Sequence, residues 1–338
     1  MRTDFIWLYT EEPHATRRKQ ILAAHPEIKQ LFSIDPSFVP VVAAIVLTQL
    51  LIAVALRDSD WLLVVLQALI VGATFNHALF EAIHETVHNL AFGHSTSLLN
   101  RMFGIVINLP VIIPMSITFR KYHLEHHRYL GALDIDIPTE WETRTFNTTG
   151  RKLLWLLLYP FITNLRPITI YRKAIADLEL LNIAVQLCFN YAVFHSLGAK
   201  SFLYLCLSTY FGLCPLHPTA THQLSDHLVT FATQETMSYY GRLNAVLFNG
   251  GFHVEHHDFP FVSGRNLPKI RQLAPEFYDP LAVHESLFDF LWTFLFDETS
   301  GLQCRVRRPR KTAEAYYGHY SFRVWRALLT VNVVKGHS

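Results

Sequence analysis

Two apolar runs separated by four polar residues constrain this chain more than any other feature. Residues 38–56 carry VVAAIVLTQLLIAVAL at their core, Arg57-Asp58-Ser59-Asp60 follows, and then comes WLLVVLQALIVGATFNHALF over 61–80. A helix crosses the hydrocarbon of a bilayer in about 20 residues. In that medium backbone polar groups must bond within the protein. Two such helices on so short a link form a hairpin with both outer ends on one side. A second hairpin is read in LELLNIAVQLCFNYAVF (178–194), a turn at 195–200, and SFLYLCLSTYFGLCPL (201–216), whose last crossing is short. The runs 98–114 and 153–171 are apolar but broken by Arg101, Asn108, Pro110 and Pro114, and by Pro160, Arg166 and Pro167. They read as interfacial or re-entrant segments. The expected fold is all-α and polytopic: about four transmembrane helices in two hairpins, interfacial helices, and a cytosolic histidine-rich cap. The expected division is a cytosolic N-terminal segment over 1–37, a membrane domain over 38–310 and a tail over 311–338.

Composition agrees with this reading. The chain is 51% hydrophobic and 17% charged, where soluble domains run at about 25% charged. The net charge of +2 and the lack of a long basic run make nucleic acid an unexpected partner. Arg17, Arg18, Lys19, Arg101, Arg120, Lys121 and Arg128 fall near membrane ends on the shared face, which the positive-inside rule places in the cytosol. The four cysteines (188, 206, 214, 304) form no C-x-x-C pair and read as small hydrophobes. The polar start Met1-Arg2-Thr3-Asp4 carries no expected cleavable leader, and Arg2 excludes N-myristoylation.

The 19 histidines are the anomaly. His84-Glu85-Thr86-Val87-His88 is H-x-x-x-H. His123-Leu124-Glu125-His126-His127 and His253-Val254-Glu255-His256-His257 are both H-x-x-H-H. On a helix, positions i, i+3 and i+4 share a face, so each box can aim two or three imidazoles at one point. Eight histidines exceed one ion's needs, since a structural zinc takes four ligands, and two metals are the economical reading. Imidazole suits Zn, Cu, Fe and Ni. Zinc has no redox chemistry, whereas an imidazole-held iron pair can activate O2 against a hydrocarbon, so iron is expected.

Each box has a plainer reading. HETVH alone matches the zinc-protease signature with Glu85 as general base, and a single H-x-x-H-H could be surface polarity. All three on one membrane face make coincidence a poor account. A ninth ligand is expected among residues 217–227. His227, beside Asp226, is preferred and His222 comes second, although either alone reads equally as an ordinary interfacial histidine. Glu85, Glu125 and Glu255 lie off the ligand face and are expected to orient rings by accepting the second imidazole N–H. Asp134, Asp136, Asp226, Asn249 and Asp258 are weaker candidates for that role.

At this point the chain resembles the sphingolipid delta-4 desaturases (dihydroceramide desaturases) within the membrane fatty acid desaturases. The resemblance rests on DFIWLYTEEPHATRRKQIL, NHALFEAIHETVHNLAFGH, NLPVIIPMSITFRKYHLEHHRYLG, DIDIPT, ETMSYYGRLNAVLFNGGFHVEHHDFP and LPKIRQLAPEFYD, and extends to about residue 310. It implies a di-iron enzyme of the endoplasmic reticulum that uses O2 to desaturate N-acylsphinganine between C4 and C5. Electrons would come from NADH through a separate cytochrome b5 and its reductase. It implies iron ligands at His84, His88, His123, His126, His127, His253, His256 and His257, with His227 as the acidic-His element. HQLSDHL stands where the family reads roughly HFIxEHY. Other readings are a sphingolipid C4-hydroxylase or bifunctional enzyme, a membrane zinc metalloprotease, and a non-enzymatic metal-binding scaffold.

Overall fold

The structure, a computed structural model, describes residues 5–10, 12–133, 135–136, 140–169, 173–175, 177–228 and 234–310. The 311–338 tail and Asp134 lie outside them. Among the described residues the chain is helical apart from four two-residue strands. Helix α1 (Pro13–Ala24) starts where proline fits the first turn and the Glu12 carboxylate accepts the amides of His14 and Ala15. Then come α2 (Phe38–Ala55) and α3 (Trp61–Val87), the latter with a π-helical turn over Ala68–Gly72. Both are long and apolar enough to cross a membrane, as the first hairpin requires. Helices α4 (Ser97–Asn108), α5 (Ser116–Arg128) and α6 (Thr149–Thr169) follow.

The next helical segment, α7 (Asp177–Leu213), contains the second hairpin. It breaks at Gly198, whose φ of +84° is disfavoured for residues with a side chain. The two arms run antiparallel. Glu179, early in the first arm, bonds Lys121 at the histidine end, and Lys200, just past the break, donates to the Ser59 carbonyl in the first hairpin's link. The second arm then returns, so that Gly212 meets His77. A close approach seals the two hairpins together: a Cβ on Gly72 would lie 2.0 Å from Ser208 Oγ.

The proline-broken run 98–114 is a re-entrant turn. The segments His94–Val111 and Ser116–Arg128 meet at 114°. Irregular backbone at membrane depth is tolerated only where protein satisfies it, and here side chains from the spans do so. The carbonyl of Leu109 accepts from Gln186, that of Pro110 from Asn76, that of Val111 from Thr209 and that of Ile112 from Asn190; Asn108 donates to Ile113. Asn76 also accepts from Gln49 at 2.5 Å and donates to Thr209 at 2.9 Å, which links α2, α3, the turn and α7. Helix α6 keeps Trp155 and Leu156 buried and leaves Leu153, Leu154, Leu157, Phe161 and Leu165 exposed, the pattern of a helix lying in an interface. The four cysteines are free thiols, and Cys188 is exposed rather than buried.

The cap contains the short helices α8 (Thr221–Ser225), α9 (His253–Asp258), α10 (Leu267–Leu273) and α11 (Leu287–Phe296). Its core joins Ile21 and Ile28 of the N-terminal segment to Val254, Phe259, Ile270 and Tyr278. Strand Ile6–Trp7 pairs in parallel with Val306–Arg307, so the two ends of the described chain meet.

Three of the cations read near the membrane ends have partners within the protein. Arg17 pairs Asp258, Arg120 donates to the Val87 carbonyl, and Lys121 pairs Glu179. Asn76→Leu should lower stability by about 1–2 kcal/mol, because it removes one of the two acceptors of the Gln49 amide and the donor to the Pro110 carbonyl at once. A lower melting temperature of the detergent-purified variant checks this.

Candidate metal centre

The boxes sit at helix ends that converge from three directions. His84 lies in the last turn of α3 with His88 at its C-cap; His123, His126 and His127 end α5; His253, His256 and His257 are on α9. The structure brings nine histidines into two groups. One has five members (His84, His88, His123, His127, His256) and the other four (His126, His227, His253, His257). His227 joins the second group, and His222 joins neither.

The H-x-x-H-H boxes do not each aim at one point. Each gives its i, i+4 pair to one group and its middle histidine to the other. His123 and His127 lie in the first group while His126 lies in the second; His253 and His257 lie in the second while His256 lies in the first. Successive side chains turn by about 100°, so i+4 lies about 40° to one side of i and i+3 about 60° to the other, enough for the middle ring to meet a different group.

The nitrogen geometry tests whether metal fits. In the first group Nε2 of His123 lies 2.9 Å from that of His88 and 2.9 Å from that of His127, which is 3.0 Å from that of His256. In the second, Nε2 of His227 lies 2.9 Å from those of both His126 and His253. One N–H points along one direction only, so it cannot serve two such contacts. A cation among converging lone pairs serves them all. Bonds of about 2.1 Å at right angles place neighbouring nitrogens about 3.0 Å apart, against about 3.4 Å in a tetrahedron. The observed spacing suits higher coordination than a closed zinc tetrahedron. The donor set therefore fits two ions that prefer nitrogen.

Burial prepares these rings. It holds His227, His253, His256 and His257 well below the ordinary imidazole range, assisted by repulsion among neighbouring histidines. The rings are thus neutral with lone pairs available. His126 donates from Nδ1 to Asp136 at 2.8 Å, which turns Nε2 inward. Asp226 Oδ2 lies 3.6 Å from His253 Nδ1.

The glutamates of the boxes hold other partners. Glu85 accepts the Gly264 amide, Glu125 pairs Lys173, and Glu255 accepts from Ser238 and Tyr240. Their positions off the ligand face send them to neighbouring segments rather than to imidazole nitrogens. Glu85 in particular faces away from the rings, whereas a zinc protease needs it over metal-bound water. Asn249 sits at φ +60° and donates to the Gly264 carbonyl, as a turn residue. Asp258 accepts from His14 at 2.7 Å, Arg17 at 2.7 Å and Tyr278 at 3.0 Å. Burial pushes its carboxyl up, but Arg17 and His14 outweigh burial and hold it below the usual range. This bracing of α9 from α1 was not read from sequence, nor were His77 and Glu81, whose i, i+4 spacing one turn before His84 was the available signal.

A cavity of about 420 Å³ opens on the seam between the groups. His84 and His123 of the first and His126, His227 and His253 of the second line one part of it; Phe80, Ile113, Phe119, Trp155 and Leu213 make apolar wall. Its size is that of a small-molecule site.

Comparison with known proteins follows the same line. The fatty acid desaturase family model matches residues 59–288, which places the chain among membrane desaturases and makes it an oxidoreductase. A second model, sphingolipid Delta4-desaturase, matches residues 1–37. The chain is 46% identical over 94% of its length to a putative sphingolipid delta(4)-desaturase/C4-monooxygenase of Caenorhabditis elegans, covering 88% of that protein. It is 47% identical over 92% of its length to sphingolipid delta(4)-desaturase DES1 of Drosophila melanogaster, covering 97% of it. It is 44% identical over 93% of its length to the human sphingolipid delta(4)-desaturase/C4-monooxygenase DES2, covering 97% of it. The chain belongs to the sphingolipid delta(4)-desaturase family.

His227→Ala should weaken metal binding by the four-histidine group and lower the metal bound per chain by one ion, as metal analysis of purified protein would read. The depressed imidazoles also set a pH dependence. The folded state holds fewer protons than the unfolded one below the ordinary imidazole pKa of about 6.5, so their stabilisation is present above that pH and lost as pH falls. The melting temperature of metal-stripped protein should decline below about pH 6.5.

Proposed function

We propose that this enzyme desaturates N-acylsphinganine (dihydroceramide) between C4 and C5, giving the 4E-ceramide. The five- and four-histidine groups would each hold one iron ion, and the pair would supply O2-dependent oxidation; one hydrogen leaves each carbon. The electrons come from NADH through a separate cytochrome b5 and its reductase. The enzyme sits in the endoplasmic reticulum membrane with its boxes facing the cytosol.

The observation that carries this reading is the cavity lined by members of both histidine groups. A reaction at two adjacent carbons needs a chain held across that seam. Phe80, Ile113 and Phe119 exclude water from the alkyl chain, and His126, oriented by Asp136, keeps its free nitrogen on the metal side. Iron is supported over zinc by the near-right-angle spacing and zinc's lack of redox chemistry. The relatives' names support the substrate, and two of them add C4-monooxygenase. The same positioning serves that second outcome, in which C4 exchanges a hydrogen for a hydroxyl and C5 keeps its own.

The test is expression in cells lacking delta-4 desaturation, fed labelled dihydroceramide. Wild type should yield labelled ceramide, and His256→Ala should reduce it roughly a hundredfold or more. Phytoceramide alone from wild type would overturn the desaturase assignment.

A further inference from the structure

A third group of metal-type ligands lies beside the nine histidines. His77 and Glu81 are one turn apart on α3, His222 is on α8, and all three are buried, with 0%, 5% and 2% of their surface exposed. Nε2 of His77 lies 2.9 Å from Nε2 of His222. Glu81 Oε1 lies 3.3 Å from His222 Nε2 and 3.8 Å from His77 Nε2. Three donors at about 2.1 Å from one ion, separated by angles between 90° and about 130°, have these edge lengths.

The outer nitrogens match a metal site as well. Nδ1 of His77 donates to the Gly212 carbonyl at 2.7 Å, which leaves Nε2 as a lone pair. Nδ1 of His222 faces Asp226 Oδ2 at 3.4 Å, so the proton of this ring belongs on that side and its Nε2 lone pair meets the one on His77. The alternative occupant of the triangle is a proton on His222 Nε2. A single N–H reaches His77 or Glu81 but not both. It also leaves one of the two buried carboxylates, Glu81 and Asp226, without a balancing charge. A divalent ion satisfies all three donors and balances both carboxylates.

We propose that His77, Glu81 and His222 hold a third, mononuclear divalent transition-metal ion. Two imidazoles and one carboxylate are a donor set that Zn²⁺ and Fe²⁺ both accept. Glu81 and His222 line the cavity, so the remaining coordination positions face the lipid space and take water or a lipid oxygen. Asp226 lies between His222 and His253, which couples this ion to the four-histidine group.

The proposal is independent of the substrate assignment, because its test counts ions. Full-length protein purified in detergent is analysed for iron and zinc by mass spectrometry, alongside Glu81→Leu and His77→Gln. Wild type should hold three ions per chain, one for each ligand group, and each variant should lose one ion. Two ions in wild type overturn the proposal. So does a third ion that survives both substitutions, which is then adventitious. Should the variants fail to fold, anomalous scattering from wild-type crystals decides: a peak among the three side chains supports the site, and its absence overturns it.

Discussion

Imidazole nitrogens that converge in greater number than their N–H groups can pair repel unless a cation lies among them, and much of this molecule serves to bring nine such rings together in two groups. The rings come from helix ends and short cap helices, not from the middle of one bundle. Their convergence depends on the bracing behind them. Asp258 anchors α9 to α1 through Arg17 and His14, and Glu255 anchors it to Ser238 and Tyr240. Glu85 ties the end of α3 to the Gly264 backbone. The acidic residues within and beside the boxes thus fix the orientation of whole segments, and the rings inherit it.

The exchange of middle histidines between groups has a mechanical meaning. Because α5 and α9 each contribute to both groups, neither metal position can shift without carrying both helices. His127 and His257, which belong to different groups, stack at 4.1 Å between ring centroids. The two positions are therefore parts of one rigid unit whose spacing is set by helical geometry, with no bridging side chain required.

Much of this was legible in the sequence, and the rest was not for identifiable reasons. The hairpins are written in runs of apolar residues whose length matches a bilayer, and the eight box histidines in i, i+3, i+4 spacing, both local signals. His227 could be preferred in the 217–227 stretch only for its place beside Asp226, with His222 second. The division into five and four depends on how α3, α5 and α9 are placed against one another, which spacing within a box does not encode. Arg17 looked like a membrane-surface charge because its partner lies 241 positions away. Pro110 and Pro114 announced a break in the 98–114 run, but its depth is set by Asn76, Gln186, Asn190 and Thr209, each on another span.

That re-entrant turn has a further consequence. Ile113, Pro114 and Met115, at its end, form part of the cavity wall, and the preceding carbonyls are held by side chains of α3 and α7. The wall cannot retreat without stranding those groups in an apolar medium. The cavity is thus a gauge whose stop is set by the membrane hairpins. Asn190, which does not line it, belongs to that gauge as surely as Phe119 does. Under the proposed function, which carbon meets the histidines is then a matter of how far a chain can slide, governed by residues remote from the nine rings.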